Sequence, residues 1–315
     1  MGRVAGTVRA LAVVLVCGCS VSVELEGKQC APSPPLCLPG YACVGGVCVK
    51  GDGGTGGGGD ADAGCPPDVD PAASSCSGST YYLSPTGSDL EDGGSPATAR
   101  RSLNGVTLRR GDVVHLLGGT YQQAPSLGST SGNASCPMLV RGESDGGTVL
   151  ADTLNVDNSY TVLRWLTFSP RNATGVLLGT VDHVTFQYVR WALPEPTSGF
   201  PQALVLGGTC TDCTVRESTF ANGDGVTLMD SNAAPRFAFW GNRVVLSRGG
   251  EGLLLAGPGI TATGNDFSGS YTNNLGVIDA VGAPGALIAR NVFHDIDCFF
   301  PDKPLIRGGR VGHNT

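Results

Sequence analysis

The chain has 315 residues, of which 15% are Asp, Glu, Lys or Arg, and a formal net charge of −7. Lysine is confined to Lys28, Lys50 and Lys303, and an acidic chain without an evident basic stripe in its sequence is a poor candidate for a nucleic-acid partner. Glycine occurs 49 times, which implies many turns and few helices; the length suits one large domain plus a small module.

Residues 1–18 read as an export signal. Arg3 and Arg9 supply positive charge, and Leu11 to Val16 form an apolar run too short to span a bilayer. The run ends in Val16-Cys17-Gly18-Cys19-Ser20, which resembles the bacterial lipobox. That resemblance implies acylation of Cys19, a membrane partner through the lipid anchor, and a place at the bacterial outer membrane or cell surface. An ordinary signal peptide cut nearby is the alternative. Several acyl chains on one residue hold durably where a single chain does not.

Residues 19–50 carry Cys30, Cys37, Cys43 and Cys48 within CAPSPPLCLPGYACVGGVC. So short a segment cannot bury enough apolar surface to fold unaided, and two disulfides are the expected staple. Three pairings are open. Zinc is the rival, but the spacing lacks paired CxxC knuckles and no His is near. Residues 51–78 are rich in Gly, Asp, Ala and Ser without apolar periodicity, the composition of a flexible tether. Cys65 and Cys76 are expected to close a small loop at its end.

From residue 79 to 315 the texture changes to short β-rich runs separated by Gly, Asn, Asp and Ser. The runs TVLRWLTF, VTFQYVRW, CTVRESTF, FAFWGNRV, ITATGNDF and ALIARNVF end at Phe168, Trp191, Phe220, Val244, Phe267 and Phe293. Those ends lie 23, 29, 24, 23 and 26 residues apart. Each run is followed by a second apolar strand: GVLLG, ALVLGG, GVTLMD, GLLLAG, GVIDAV and PLIRGG. One unit is therefore strand, variable loop, strand and turn. So small a unit cannot form a layer alone, but stacked units pair their strands in parallel around a continuous core. Asn242, Asn265, Asn291 and Asn314 recur two residues before the run ends, which predicts a hydrogen-bonded Asn ladder. Leucine-rich repeats lack their consensus here, and a propeller blade needs a longer period. The reading is an all-β, right-handed parallel β-helix.

The segments YYLSPTGSDLEDGGSPATARRSL, GDVVHLLGGTY and CPMLVRGESDGGTVL resemble the start of right-handed β-helix proteins of the pectate-lyase-like superfamily. The resemblance covers roughly Tyr81 to Thr315. It implies the fold, and an activity drawn from lyases, glycoside hydrolases, epimerases or proteins without catalysis. The final RVGHNT matches the start of a further unit, so a truncated product is expected.

The variable loops all leave one corner and stack into an edge suited to binding. On it Arg171, Phe200, Tyr271, Phe299 and Phe300 are candidates for contacts with an acidic polysaccharide. Lyases resembling this fold work by β-elimination, in which a Lys or Arg takes a proton beside a carboxylate that Ca²⁺ or basic groups neutralise. Lys303, Arg307 and Arg248 are the candidate bases, and Asp279, Asp295 and Asp297 the candidate Ca²⁺ ligands. Asp279 and Arg307 fall at the third position of adjacent second strands and are expected to pair on the outside. Cys210 and Cys213 read as a structural disulfide, because no thioredoxin-like context surrounds them. His115, His183, His294 and His313 are scattered over different turns. A non-catalytic surface spacer or adhesion protein is the alternative function.

Overall fold

The computed structural model describes residues 41–44, 47–50, 76, 78–144, 146–171, 174–193, 202–221, 226–227, 234–246, 252–271, 276–298 and 305–315. Cys19, Cys30 and Cys37, and the tether residues 51–64, lie outside them. In the Cys-rich module Tyr41–Val44 and Val47–Lys50 form an antiparallel hairpin that sets Cys43 opposite Cys48.

The main domain is a parallel β-helix. Its described strands form sheets of ten, eight and seven strands and a short pair, Val181–Asp182 with Cys210–Thr211, and within each sheet every neighbour is parallel and comes from the adjacent turn. The ten-stranded sheet runs from Thr80–Leu83 to Arg310–Val311, the eight-stranded from Gly119–Tyr121 to Val292–Cys298, and the seven-stranded from Leu154–Val156 to Ile306–Gly308. The run ends deduced from the sequence are in register: Phe168 faces Trp191, then Phe220, Val244, Phe267 and Phe293 follow in line.

One part of the predicted unit is corrected. Each eight-residue run is two strands rather than one, so a turn of the coil has three strands. TVLRWLTF divides into Thr161–Arg164 in the ten-stranded sheet and Thr167–Phe168 in the eight-stranded sheet. The break is a single residue in the left-handed backbone region, which extended chain cannot pass through. Trp165 (φ 55°), Tyr188 (53°), Glu217 (51°), Gly241 (64°), Gly264 (65°) and Arg290 (59°) occupy that corner in successive turns. A second left-handed column, Tyr160, His183, Asp212, Arg236, Gly259 and Gly285, precedes the ten-stranded sheet at another corner.

Strand alternation sends one set of side chains inward. Leu163, Phe186, Val215, Phe239, Ala262 and Ile288 from the ten-stranded sheet are fully buried, as are Val176, Leu204, Leu253 and Ile278 from the seven-stranded. Phe168, Trp191, Phe220, Val244 and Phe267 fill the third wall, with Trp191 and Phe220 stacked at 4.3 Å between ring centroids. Full burial of one such side chain contributes about 1.5–3 kcal/mol, a gain each turn realises only by stacking on its neighbours. Leu103, Leu108 and Leu127 extend this core at its N-terminal end. At the other end Val311 stands in register with buried Ile288 and is 60% exposed.

The Asn column lies just after the first corner. Asn242 donates from its backbone N–H and from Nδ2 to Asn265 Oδ1, at 2.9 and 3.1 Å. Asn265 makes the same pair of bonds to Asn291 Oδ1, and Asn291 to Asn314 Oδ1. Each Nδ2 also donates to a carbonyl of the ten-stranded sheet one turn back: Val215, Phe239 and Ala262. Ser218 sits at this position one turn earlier and donates its N–H to Asn242 Oδ1. The ladder thus satisfies backbone groups that the corner leaves without strand partners.

Two disulfides are described. Cys210 and Cys213 are bonded and buried, as expected. Cys76 is bonded to Cys136, not to Cys65. The small-loop expectation is therefore overturned: the bond ties the start of the domain to a loop 60 residues away, because Gly78 and Ser79 run beside Gly111 and Asp112.

Candidate functional site

Chemistry-bearing side chains lie on the predicted loop edge, on the outer faces of the three sheets and at the second corner. On the loop edge Phe200, Arg248, Phe299, Phe300 and Lys303 lie outside the described residues. Arg171 is exposed just after Thr167–Phe168. Tyr271 ends a strand and pairs by its backbone with Cys298.

Asp279 and Arg307 meet as the sequence predicts. They are in register across the seven-stranded sheet, and Arg307 Nη1 lies 3.3 Å from Asp279 Oδ2. The expectation that the pair lies outside holds only for direction. Asp279 is in register with Leu254, between the inward Leu253 and Leu255, yet it is only 5% exposed. Its Oδ1 accepts the N–H of Val281, so both oxygens are engaged.

Asp295 and Asp297 belong to the last strand of the eight-stranded sheet, not to the sheet that carries Asp279. Asp295 Oδ2 contacts His294 Nδ1 at 3.0 Å, while His294 Nε2 reaches Asp266 Oδ1 at 2.7 Å. The bond to Asp295 and the charge of Asp266 raise the His294 pKa above its ordinary value. The three Asp candidates for Ca²⁺ are thus divided between two sheets. Among the described residues no group of three His, Cys, Asp or Glu is placed to hold a metal ion.

At the second corner the left-handed column forms a surface ladder. The Tyr160 and His183 rings stack at 4.4 Å, and His183 Nδ1 lies 2.9 Å from Asp182. Arg236 clamps Asp212 with two nitrogens, and this pairing holds the Asp212 carboxyl below the usual range.

The outer face of the ten-stranded sheet carries a row that the sequence reading missed. Tyr82, His115, Arg141, Arg164, Gln187, Arg216 and Trp240 are in register, one from each of seven successive strands. At roughly 4.8 Å per strand the row is about 29 Å long. Arg164 Nη2 donates to Gln187 Oε1 at 2.8 Å, and Gln187 Nε2 donates to Glu217 Oε2 at 2.8 Å. The Arg164 guanidinium lies 5.3 Å from the Trp165 ring centroid, and that of Arg216 5.5 Å from Trp240. These contacts leave Arg164 and Arg216 buried, at 6% and 7% exposed. Cation–π contact, the Arg164 bond to Gln187 and a 3.9 Å ion pair between Arg216 and Glu217 offset the desolvation of the two guanidinium groups.

Arg141 differs from its neighbours. It is half-buried, its Nη2 contacts His115 Nδ1 at 3.4 Å, and its Nε is buried without a partner among the described residues. His115 Nε2 in turn faces Glu143 at 3.2 Å. This geometry assigns the proton to Nε2 and leaves Nδ1 as acceptor. Burial, then the Arg141 charge, lower the His115 pKa, against the pull of Glu143. The signal available beforehand was the strand register: once each run is cut at its corner, Arg141, Arg164 and Arg216 fall in one column.

No family model matches the chain, and no curated protein matches it either. Among solved structures it is similar to a mannuronic acid specific polysaccharide family 6 lyase from human gut microbiota. That likeness has 17% identity and a TM-score of 0.48, and covers 68% of this chain and 54% of that one. A rhamnogalacturonan lyase follows at 15% identity and TM-score 0.45, covering 69% and 68%. A pectate lyase follows at 14% and 0.43, covering 74% and 76%. The chain spans about half the length of the first of these. No residue role is carried over from them.

Proposed function

We propose that this chain is an exported, lipid-anchored surface protein whose β-helix binds acidic polysaccharide. One observation carries the binding reading: equivalent outward positions of successive turns stack in register, so charged and aromatic side chains recur in straight rows. The row from Tyr82 to Trp240 is the fullest of them. A row of that kind suits a linear polymer, because each strand presents one contact to each successive part of the chain. The anchoring part rests on the apolar run and Cys19.

Binding without cleavage is the form we favour, as for a stiff adhesive rod on a tether. Arg307, the described member of the candidate bases, is occupied by its ion pair with Asp279. Affinity electrophoresis through gels containing alginate, pectate or chondroitin tests the binding reading. At least one should retard the protein, and equal mobility in all three contradicts it. Incubation with the same polymers and added Ca²⁺ tests cleavage: rising ultraviolet absorbance from unsaturated uronates would replace the rod with a lyase. The anchor is tested by Cys19→Ala, which should release the chain from the membrane fraction.

A further inference from the structure

The outer face of the ten-stranded sheet is not the face that the variable loops border, and its chemistry differs. Arg141 lies next to Arg164 in register, yet among the described residues it has no carboxylate within 4 Å. Its other neighbour in the row, His115, presents a lone pair to it rather than a charge. Two guanidinium groups at strand spacing repel one another unless an anion or a dipole intervenes. Arg164 has Gln187 and Trp165 for that purpose, whereas the half-buried Arg141 has only the His115 ring nitrogen among the described residues. The described carboxylates Glu143 and Glu217 on this face are turned to His115 and to Gln187.

Aromatic rings accompany the cations. Tyr82 and Trp240 close the two ends of the row, while Trp165 and Tyr188 stand at the corner beside its centre, Tyr188 being 41% exposed. An aromatic face takes the C–H side of a sugar ring, and a guanidinium fork takes a carboxylate with two parallel bonds. A chain with a net charge of −7 has no general attraction for polyanions, so any such binding must come from a local row like this one.

We propose that the row Tyr82–Trp240, centred on Arg141 and flanked by Trp165 and Tyr188, binds a carboxylated sugar chain laid along the stack of strands. The proposal rests on the polysaccharide-binding reading and locates it on the ten-stranded sheet instead of the loop edge. The sugar chain runs across the strands, so that consecutive units meet consecutive turns. Arg141 supplies the guanidinium hydrogens that His115 does not take up, and the buried Arg164 and Arg216 supply a fixed positive background that needs no reordering on binding.

The test is calorimetric titration of the full exported chain with oligogalacturonate and oligomannuronate of defined length, alongside a fully methyl-esterified oligogalacturonate. The wild type should bind at least one acidic oligomer and not the ester, with affinity falling as salt rises. Arg141→Gln should weaken that binding at least tenfold. Tyr188→Ala, whose ring is exposed, should weaken it several-fold without changing the thermal melt, and covers the case in which Arg141→Gln does not fold. Arg307→Gln reports on the competing locus. If Arg307→Gln abolishes binding while Arg141→Gln and Tyr188→Ala bind as wild type, the row is the wrong place although the polysaccharide reading survives. If the wild type binds none of the oligomers, both fall. Equal binding of acid and ester also overturns the proposal.

Discussion

An asparagine in the ladder does two jobs with one side chain: its oxygen receives two N–H groups from the turn on one side, and its amide fills a backbone carbonyl. Asn265 is 1% exposed, so truncating it strands the Asn242 N–H and the Phe239 carbonyl away from water. Asn265→Ala should therefore cost about 2–4 kcal/mol in urea unfolding. An effect below 1 kcal/mol would mean that water replaces the ladder. Two histidines respond to pH with opposite signs. The folded His294 pKa is raised above 6.5 by Asp295 and Asp266, so its stabilisation is complete below 6.5 and is lost as pH rises through the folded value. The His115 pKa is lowered, chiefly by burial; its contribution is present above 6.5 and is lost as pH falls from there. Melts of His294→Gln beside wild type should show the gap in Tm closing from pH 6 to pH 9, and a constant gap would remove His294 from the account. The Asn column was visible in the sequence because one residue type recurs at the unit period. The Arg row was not, since Gln187 interrupts it and its members hide inside runs that read as single strands.

At the level of the element, the corner decides what the sequence could show. In the later turns Gly241 and Gly264 stand at the left-handed position and mark the break. In the other turns Trp165, Tyr188, Glu217 and Arg290 stand there, with no turn signal, so one eight-residue strand was the natural reading. The structure tolerates these bulky residues because the corner faces outward. Gly264 makes this testable: a Cβ there would meet nothing within 4 Å, so Gly264→Ala should cost only the backbone strain, about 1 kcal/mol. Gly269 is the opposite case. It lies at a register shift in the eight-stranded sheet, and an added Cβ would fall 2.3 Å from the Leu246 carbonyl oxygen. Gly269→Ala should cost about 3 kcal/mol or more, read by the same melts, because neither backbone can yield alone. Equal costs at the two sites would contradict the described register.

For the whole molecule, sheet pairing between turns replaces a globular core, and each turn is stabilised mainly by its neighbours. Among the described residues the first turn pairs with a neighbour on one side only, and the Cys76–Cys136 bond spans 60 residues there. Breaking it with Cys136→Ser should lower stability by up to about 4 kcal/mol in the chain-entropy account, whereas Cys210–Cys213, three residues apart, closes too short a loop to matter as much. A smaller effect at Cys136 than at Cys213 would argue against that role. Fold class was legible because the period and the paired apolar runs leave few architectures. The partner of Cys76 was not, because a contact over 60 residues leaves no local trace. The loop residues proposed for sugar binding gave no test of themselves, since most of them lie outside the described residues. Everything rests on turn-on-turn register, and cysteine cross-linking measures it directly. Thr261 and Leu287 face each other on the outer side of the ten-stranded sheet, and Ala238 is one turn further away. In-register strands lie about 4.8 Å apart, inside the roughly 4.4–6.8 Å between Cα atoms that a disulfide spans, while two strand spacings exceed it. The Thr261→Cys/Leu287→Cys variant should form an intramolecular disulfide rapidly under mild oxidation, and Ala238→Cys/Leu287→Cys should not. Rapid closure of the second pair with none in the first would contradict the stack.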